Sequence, residues 1–277
     1  MHREVLFTFT IGYIRVNIIE NGAGVLGLDN FLGILFMAQV RLQRVLAAAG
    51  VDSRRKCEQL ILDGAVRVNR KIVNSLPAFV DPDVDIITVN GKRIRPQLQK
   101  VYFLLNKPKG VICTNSDPQG RKKAIDLIRT KQRVYCVGRL DIDTTGLIII
   151  TNDNQLTNRL THPSFKISKT YVAVVKGRIT PTQVEKLKKG VWLDKGKTAG
   201  SSVKVLKKTR DESIIEITIR QGMNRQVRRM LAKVELAVKS LKRTRIGKID
   251  SKGIGVGKYR ELSKSQIEYL KRATSPS

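Results

Sequence analysis

From Leu42 the apolar residues Leu42, Val45, Leu46 and Ala49 recur at i, i+3, i+4 and i+7, the spacing of one helix face, and Gly50 supplies a stop. A second short helix follows, capped by Asp52 or Ser53, with Cys57, Leu60 and Ile61 on one side and the Asp63-Gly64 turn at its end. Ala65 to Asn69 then alternates as a half-buried strand does, and Val84 to Val89, closed by Asn90-Gly91, reads as another. Residues 37–91 are therefore expected to form one small unit of two helices and a little sheet.

Lys92 to Lys100 is polar, contains Pro96 and has no period, which marks a linker. Beyond it, residues 101–277 carry short apolar strands at Val101 to Leu105, Val134 to Val137, Leu147 to Thr151, Tyr171 to Val175, Val203 to Leu206 and Ile214 to Ile219. Thr180-Pro181-Thr182-Gln183 combines an N-cap, a proline at the first helical position and a capping-box glutamine, and Gly190 closes that helix. Ser263 to Gln266 opens a final helix by the same logic, and Asp153 caps a helix carrying Leu156 and Leu160. Helices and strands alternate irregularly, so the fold class expected is α+β around a mixed, mainly antiparallel sheet.

Residues 1–36 differ from the rest. They are nearly uncharged and Gly-rich, with Glu4 and Glu20 where a targeting peptide would be acid-poor. Helical patterning begins only after Met37, so this segment is expected to be a disordered extension or to precede the true start. Its most apolar stretch, Gly22 to Ala38, is broken by Asp29 and Asn30 and is too short for a membrane span.

Charge narrows the function classes. Among 277 residues, 53 are Lys or Arg and 23 Asp or Glu, a formal net charge of +30. Solubility needs far less than that, so a polyanionic partner is the simplest explanation. With 41% hydrophobic residues the charge must sit on folded domains and not on a disordered tail. Cys57, Cys113 and Cys136 are odd in number and far apart in sequence, which supports neither a disulfide framework nor a zinc ribbon. His2 and His162 are too few for His-based metal sites or hydrolysis, which leaves Asp, Lys, Arg or Tyr for any catalysis. A reducing, cytoplasmic setting and a monomer without metal or cofactor are expected.

The chemistry concentrates in Val137 to Asp153, a polar turn between two apolar strands that gathers Arg139, Asp141, Asp143, Thr144 and Thr145. By spacing alone Asp141 and Asp143 suit a magnesium pair, an acid/base dyad or a solvated turn. A second concentration lies between Gln221 and Lys248, where nine basic residues accompany one acid, Glu235; phosphate contact is the expected use of this run.

These segments carry a family resemblance. Arg41 to Lys71, "RLQRVLAAAGVDSRRKCEQLILDGAVRVNRK", resembles an S4 RNA-binding domain, with Arg41, Arg44, Arg54, Arg55, Lys56 and Arg67 as its RNA contacts, and Arg70 and Lys71 beside them. Gly138 to Leu147, "GRLDIDTTGL", resembles the catalytic motif of RNA pseudouridine synthases of the RsuA/RluB/RluE/RluF group. "LLNKPKGVICTNSDPQGR", "KTYVAVVKG" and "RQGMNRQVRRM" agree with that family in order and spacing.

The resemblance implies an isomerase that breaks the N1–C1′ bond of a uridine in ribosomal RNA, turns the base and rejoins it through C5, with no cofactor. Asp141 is the implied catalytic carboxylate, attacking C1′ or assisting departure of the base. Arg228 is its implied salt-bridge partner, Tyr171 the implied partner of the flipped base, and Arg139, Arg225 and Arg229 implied RNA contacts. Asp143 is left as a turn residue. "CTNSDPQGR" favours large-subunit RNA, while "GRLDIDTTGL" suits the small subunit equally. The alternative is a non-catalytic RNA-binding or ribosome-assembly factor on the same scaffold; a nuclease lacks a metal or His site.

Overall fold

A computed structural model describes residues 6–11, 14–19, 39–95, 99–194 and 196–274. The chain divides into two compact units, residues 1–96 and 97–277. Within the expected extension, Leu6–Ile11 and Ile14–Ile19 pair as antiparallel strands; the expected start at Met37 lies outside the described residues.

In the first unit, helices α1 (Leu42–Ala48) and α2 (Arg54–Leu62) bury Leu42, Leu46, Cys57 and Ile61 against Val66, Val80 and Ile87. Ser53 is the cap of α2, its side chain accepting the Lys56 amide at 3.3 Å. The strands Lys71–Val73, Val66–Val68, Ile87–Val89 and Lys92–Arg93 form a small antiparallel sheet in that order. The expected strand from Val84 is shorter because residues 81–85 are held in a turn. Asp85 accepts the Asp81 amide at 2.8 Å and the Asn69 side chain at 2.7 Å, which leaves Val84 and Ile86 exposed. Arg41, Arg44, Arg54, Arg55, Lys56 and Arg67 are all exposed.

The second unit is built on one mixed sheet. Its main strands are β1 (Tyr102–Lys107), β2 (Thr145–Thr151), β3 (Lys169–Lys176), β4 (Ser202–Lys208), β5 (Glu212–Ile219), β6 (Val238–Ile246) and β7 (Tyr259–Glu261). They lie in the order β4-β5-β3-β6-β2-β1-β7, with Tyr135–Cys136 paired to the end of β2. Only β2 and β6 run parallel; the other pairs are antiparallel. Apolar side chains pack on both faces, which is why β2 reads as a continuous run, Leu147 to Ile150, and not as an alternation.

Helices α3 (Asn154–Thr161), α4 (Pro181–Lys189), α5 (Gln226–Lys233) and α6 (Lys264–Arg272) cover the sheet. Asp153 caps α3, and capping boxes of Thr180 with Gln183 and Ser263 with Gln266 open α4 and α6. The turn after α5 has no glycine; Glu235 occupies its left-handed position at φ 61°.

Candidate active site

The polar turn between Tyr135–Cys136 and β2 projects its side chains over the sheet. Gly138, at φ 71°, starts the turn, and the Thr144 amide closes it on the Asp141 carbonyl at 3.0 Å. Two further contacts fix the turn from outside: the Gly110 amide donates to the Ile142 carbonyl at 2.8 Å, and the Leu140 amide to Cys113 Sγ at 3.4 Å. At its end Gly146 is required. Its φ is 101°, and a Cβ there would lie 2.2 Å from the Arg243 carbonyl oxygen.

Asp141 opens into a cavity of about 160 Å³ together with Arg139, Lys169, Tyr171, Arg225 and Arg243. Arg225 Nη1 lies 3.5 Å from the Asp141 carboxylate and 3.4 Å from that of Asp143. Arg228 Nη2 reaches Asp143 Oδ2 at 3.0 Å and the Asp143 carbonyl at 3.2 Å. The carboxylates and guanidiniums thus form one network between the turn and the start of α5. Within it, the Arg225 guanidinium is the cation that faces the Asp141 carboxylate.

The expected pairing of Arg228 with Asp141 is corrected to a pairing with Asp143. Arg225, expected on RNA, is the residue facing Asp141. The reason is the start of α5: Arg225 sits at its N-cap with φ 47°, outside the helix, so its side chain leaves over the turn while Arg228, one turn on, reaches beneath it. Arg229, also expected on RNA, is held by Asp194 at 2.6 Å, because its face of α5 meets the Trp192–Leu193/Gly196–Lys197 hairpin. Arg139 is exposed at the cavity rim, and Tyr171 is buried in its wall.

The basic run to Lys248 is not a uniform phosphate surface. Much of it is β6, in the middle of the sheet, where Lys239 pairs with Glu212 at 3.2 Å and Arg245 with Glu216 at 3.0 Å. Arg243 is buried, its Nε donating to the Leu147 carbonyl at 2.6 Å. Alternation holds over Leu241, Lys242 and Arg243 but is broken by a register shift before the exposed Arg245, and the density of charge hid what signal there was.

Two features had no signal in the sequence. Cys113 and Cys136, distant in the chain, come together beneath the turn as a hydrogen-bonded thiol pair. Hydrogen bonding from Cys136, the Leu140 amide and the charges of Lys107 and Arg243 outweigh burial and lower the Cys113 thiol to about 6; Cys136 is pushed up by the same contact and by burial. Lys107 is fully buried, its ammonium donating to the Val111 carbonyl at 2.7 Å and the Pro108 carbonyl at 3.0 Å. Burial lowers its pKa, and the carboxylates of Asp141 and Asp143 act in the opposite direction.

Comparison with known proteins agrees with this architecture. The family described as RNA pseudouridylate synthase matches residues 101–233, and the S4 domain matches residues 40–86. Ribosomal large subunit pseudouridine synthase B of Bacillus subtilis is 44% identical over 234 residues, covering 83% of this chain and 95% of the relative. An uncharacterized RNA pseudouridine synthase of Aquifex aeolicus is 40% identical over 239 residues, covering 86% and 96%. A crystal structure of a pseudouridylate synthase superposes with a TM-score of 0.62 at 28% identity, over 83% of this chain and 99% of that one.

Proposed function

Because the chain belongs to the RNA pseudouridylate synthase family and carries an S4 domain, we propose that it isomerises one uridine of large-subunit ribosomal RNA, with Asp141 as the catalytic carboxylate. The observation that carries this reading is the placement of Asp141 beside Arg225 in a cavity that Tyr171 also lines. The name of the similar Bacillus subtilis protein supports the large subunit as the source of the substrate.

The target uridine leaves its stack to expose C1′ and C5, at a cost of a few kcal/mol offset by contacts in the cavity. Exposed Arg139 at the rim meets the strand, the Tyr171 ring packs against the base, and Asp141 acts on C1′ as nucleophile or as electrostatic support for base departure. Arg225 faces the carboxylate as its counter-charge, and Arg228 holds Asp143 and so the turn. The exposed cations of α1, α2 and the Val66–Val68 strand bind backbone phosphate, raising the local concentration of RNA without selecting the uridine. The substrate is free ribosomal RNA or an assembly intermediate.

Carbodiimide mapping of pseudouridine in both ribosomal RNAs from a deletion strain tests this reading. One large-subunit site is expected to disappear, to return with the wild-type gene, and to stay absent with Asp141→Asn. Loss of a small-subunit site would move the substrate to that RNA, and an unchanged map would overturn the assignment.

A further inference from the structure

The cavity holds more positive charge than its carboxylate needs. Asp141 faces Arg139, Lys169, Arg225 and Arg243, and only Arg225 pairs with it. Among the described residues, Lys169 Nζ and the terminal nitrogens of Arg243 have no hydrogen-bond or ion-pair partner, although Arg243 is buried and Lys169 partly so. Desolvated cations without an anion are unfavourable, so such a pair is a receptor for an anion that arrives.

Position identifies that anion. Arg139 and Arg225 are exposed and come from the turn and the start of α5, at the rim, where a nucleotide's phosphates would lie. Lys169 and Arg243 come from the sheet itself: Arg243 on β6 is the direct cross-strand neighbour of Tyr171 on β3, and Lys169 lies two residues from Tyr171 and lines the same cavity. If Tyr171 packs on the base, the two cations border the base and not the backbone. Breaking the N1–C1′ bond leaves its electron pair on N1, so the detached uracil carries one negative charge, shared with O2 and O4. That charge persists until C5 bonds to C1′, which neutralises the base; loss of the C5 proton and protonation of N1 then complete the isomer with no further change in charge.

We infer that Lys169 and Arg243 form an anion subsite that stabilises the detached uracil between bond breaking and rejoining. This rests on the function proposed above. Donors fixed where charge develops, in a site with little water, act mainly on the transition state, so the subsite contributes to rate more than to RNA affinity. Burial, reinforced by Arg243, lowers Lys169 to about 8. The groups facing it are Arg243 from β6, Tyr171 from β3, Asp141 and Arg139 from the turn, and Arg225 from the start of α5. Lys169 therefore loses its charge as pH rises through about 8, whereas an arginine in its place keeps it.

The test is single-turnover release of tritium from C5 of a [5-³H]uridine-labelled large-subunit RNA transcript, with RNA affinity measured in parallel, for wild type, Lys169→Met, Lys169→Arg and Asp141→Asn. Lys169→Met is expected to slow turnover about 100-fold with less than about 3-fold change in affinity. Lys169→Arg is expected to recover most of the rate and to move the alkaline fall in rate, near pH 8 in wild type, to higher pH. Wild-type rate in Lys169→Met, or a loss lying wholly in affinity, would overturn the subsite while leaving the isomerase reading intact. Should Lys169→Met misfold, an alkaline limb unmoved in Lys169→Arg is equally decisive against it. No release by wild type from a transcript lacking the modification would overturn both readings.

Discussion

Arg228 meets the carboxylate of Asp143 at 3.0 Å, while Asp141, two residues earlier in the same turn, faces Arg225 at 3.5 Å. The two arginines divide the work: one anchors the turn, the other faces the carboxylate proposed to act. Arg228 is the more buried, its side chain 13% exposed against 45% for Arg225, as befits a support.

Asp143→Ala should consequently impair catalysis although Asp143 touches no reacting atom. The Arg228 guanidinium would lose its carboxylate partner in a largely buried place, and the turn would loosen by an amount worth about tenfold in single-turnover rate. RNA affinity is expected to change little. An Asp143→Ala enzyme with wild-type rate would show that Arg228 positions the turn through the Asp143 carbonyl alone.

The thiol pair gives a prediction in pH. The Cys113 pKa is lowered to about 6, chiefly by the hydrogen bond from Cys136, so its thiolate is present above that pH and lost below it. Iodoacetamide labelling of Cys113, followed by mass spectrometry, should rise through pH 6 and level off near neutrality, with Cys136 unlabelled. Cys136→Ala removes the main cause and should move the profile toward the ordinary thiol value of about 8.5. A wild-type Cys113 that titrates near that ordinary value would refute the pairing.

Much of this fold is legible in local sequence because its devices are local. Ser53, Asp153, Thr180 and Ser263 announce their helices through caps, and the apolar run of β2 announces a strand buried on both faces. β6 was hidden because its alternation is written in arginines and lysines, two of them neutralised only by Glu212 and Glu216 on a neighbouring part of the sheet. The site shows the same division. Asp141, Tyr171 and the arginines are recognisable by motif, but which arginine meets which carboxylate depends on the left-handed backbone of Arg225, and Cys113 meets Cys136 only through tertiary packing.

The first unit should contribute affinity and salt dependence without rate. Arg54 and Arg55 are exposed at the start of α2, where the helix N-terminus also favours phosphate. Arg54→Ala with Arg55→Ala is expected to weaken RNA binding and to reduce the slope of log affinity against log salt by about 0.7–0.9 for each phosphate that is no longer neutralised. The single-turnover rate at saturating RNA should stay within about twofold of wild type. A fall in that rate, with the salt slope unchanged, would place these residues in catalysis and not in docking.

Gly146 is the position where the fold and the site depend on one missing side chain. It is the second residue of β2, pairs in parallel with Arg243, and has φ 101°, where a Cβ would lie 2.2 Å from the Arg243 carbonyl oxygen and 2.7 Å from its amide nitrogen. Both obstacles are backbone, so no rotamer change relieves them, and the strained φ adds its own cost. Gly146→Ala must push β2 away from β6, separating the turn that carries Asp141 from the strand that carries Arg243. The expected result is a loss of about 3 kcal/mol or more, read as a lowered thermal midpoint. Soluble protein should lose turnover far beyond the fraction unfolded, since Asp141 and Arg243 no longer share one cavity. A Gly146→Ala enzyme with native melting and native rate would show that the two strands do not touch at this point.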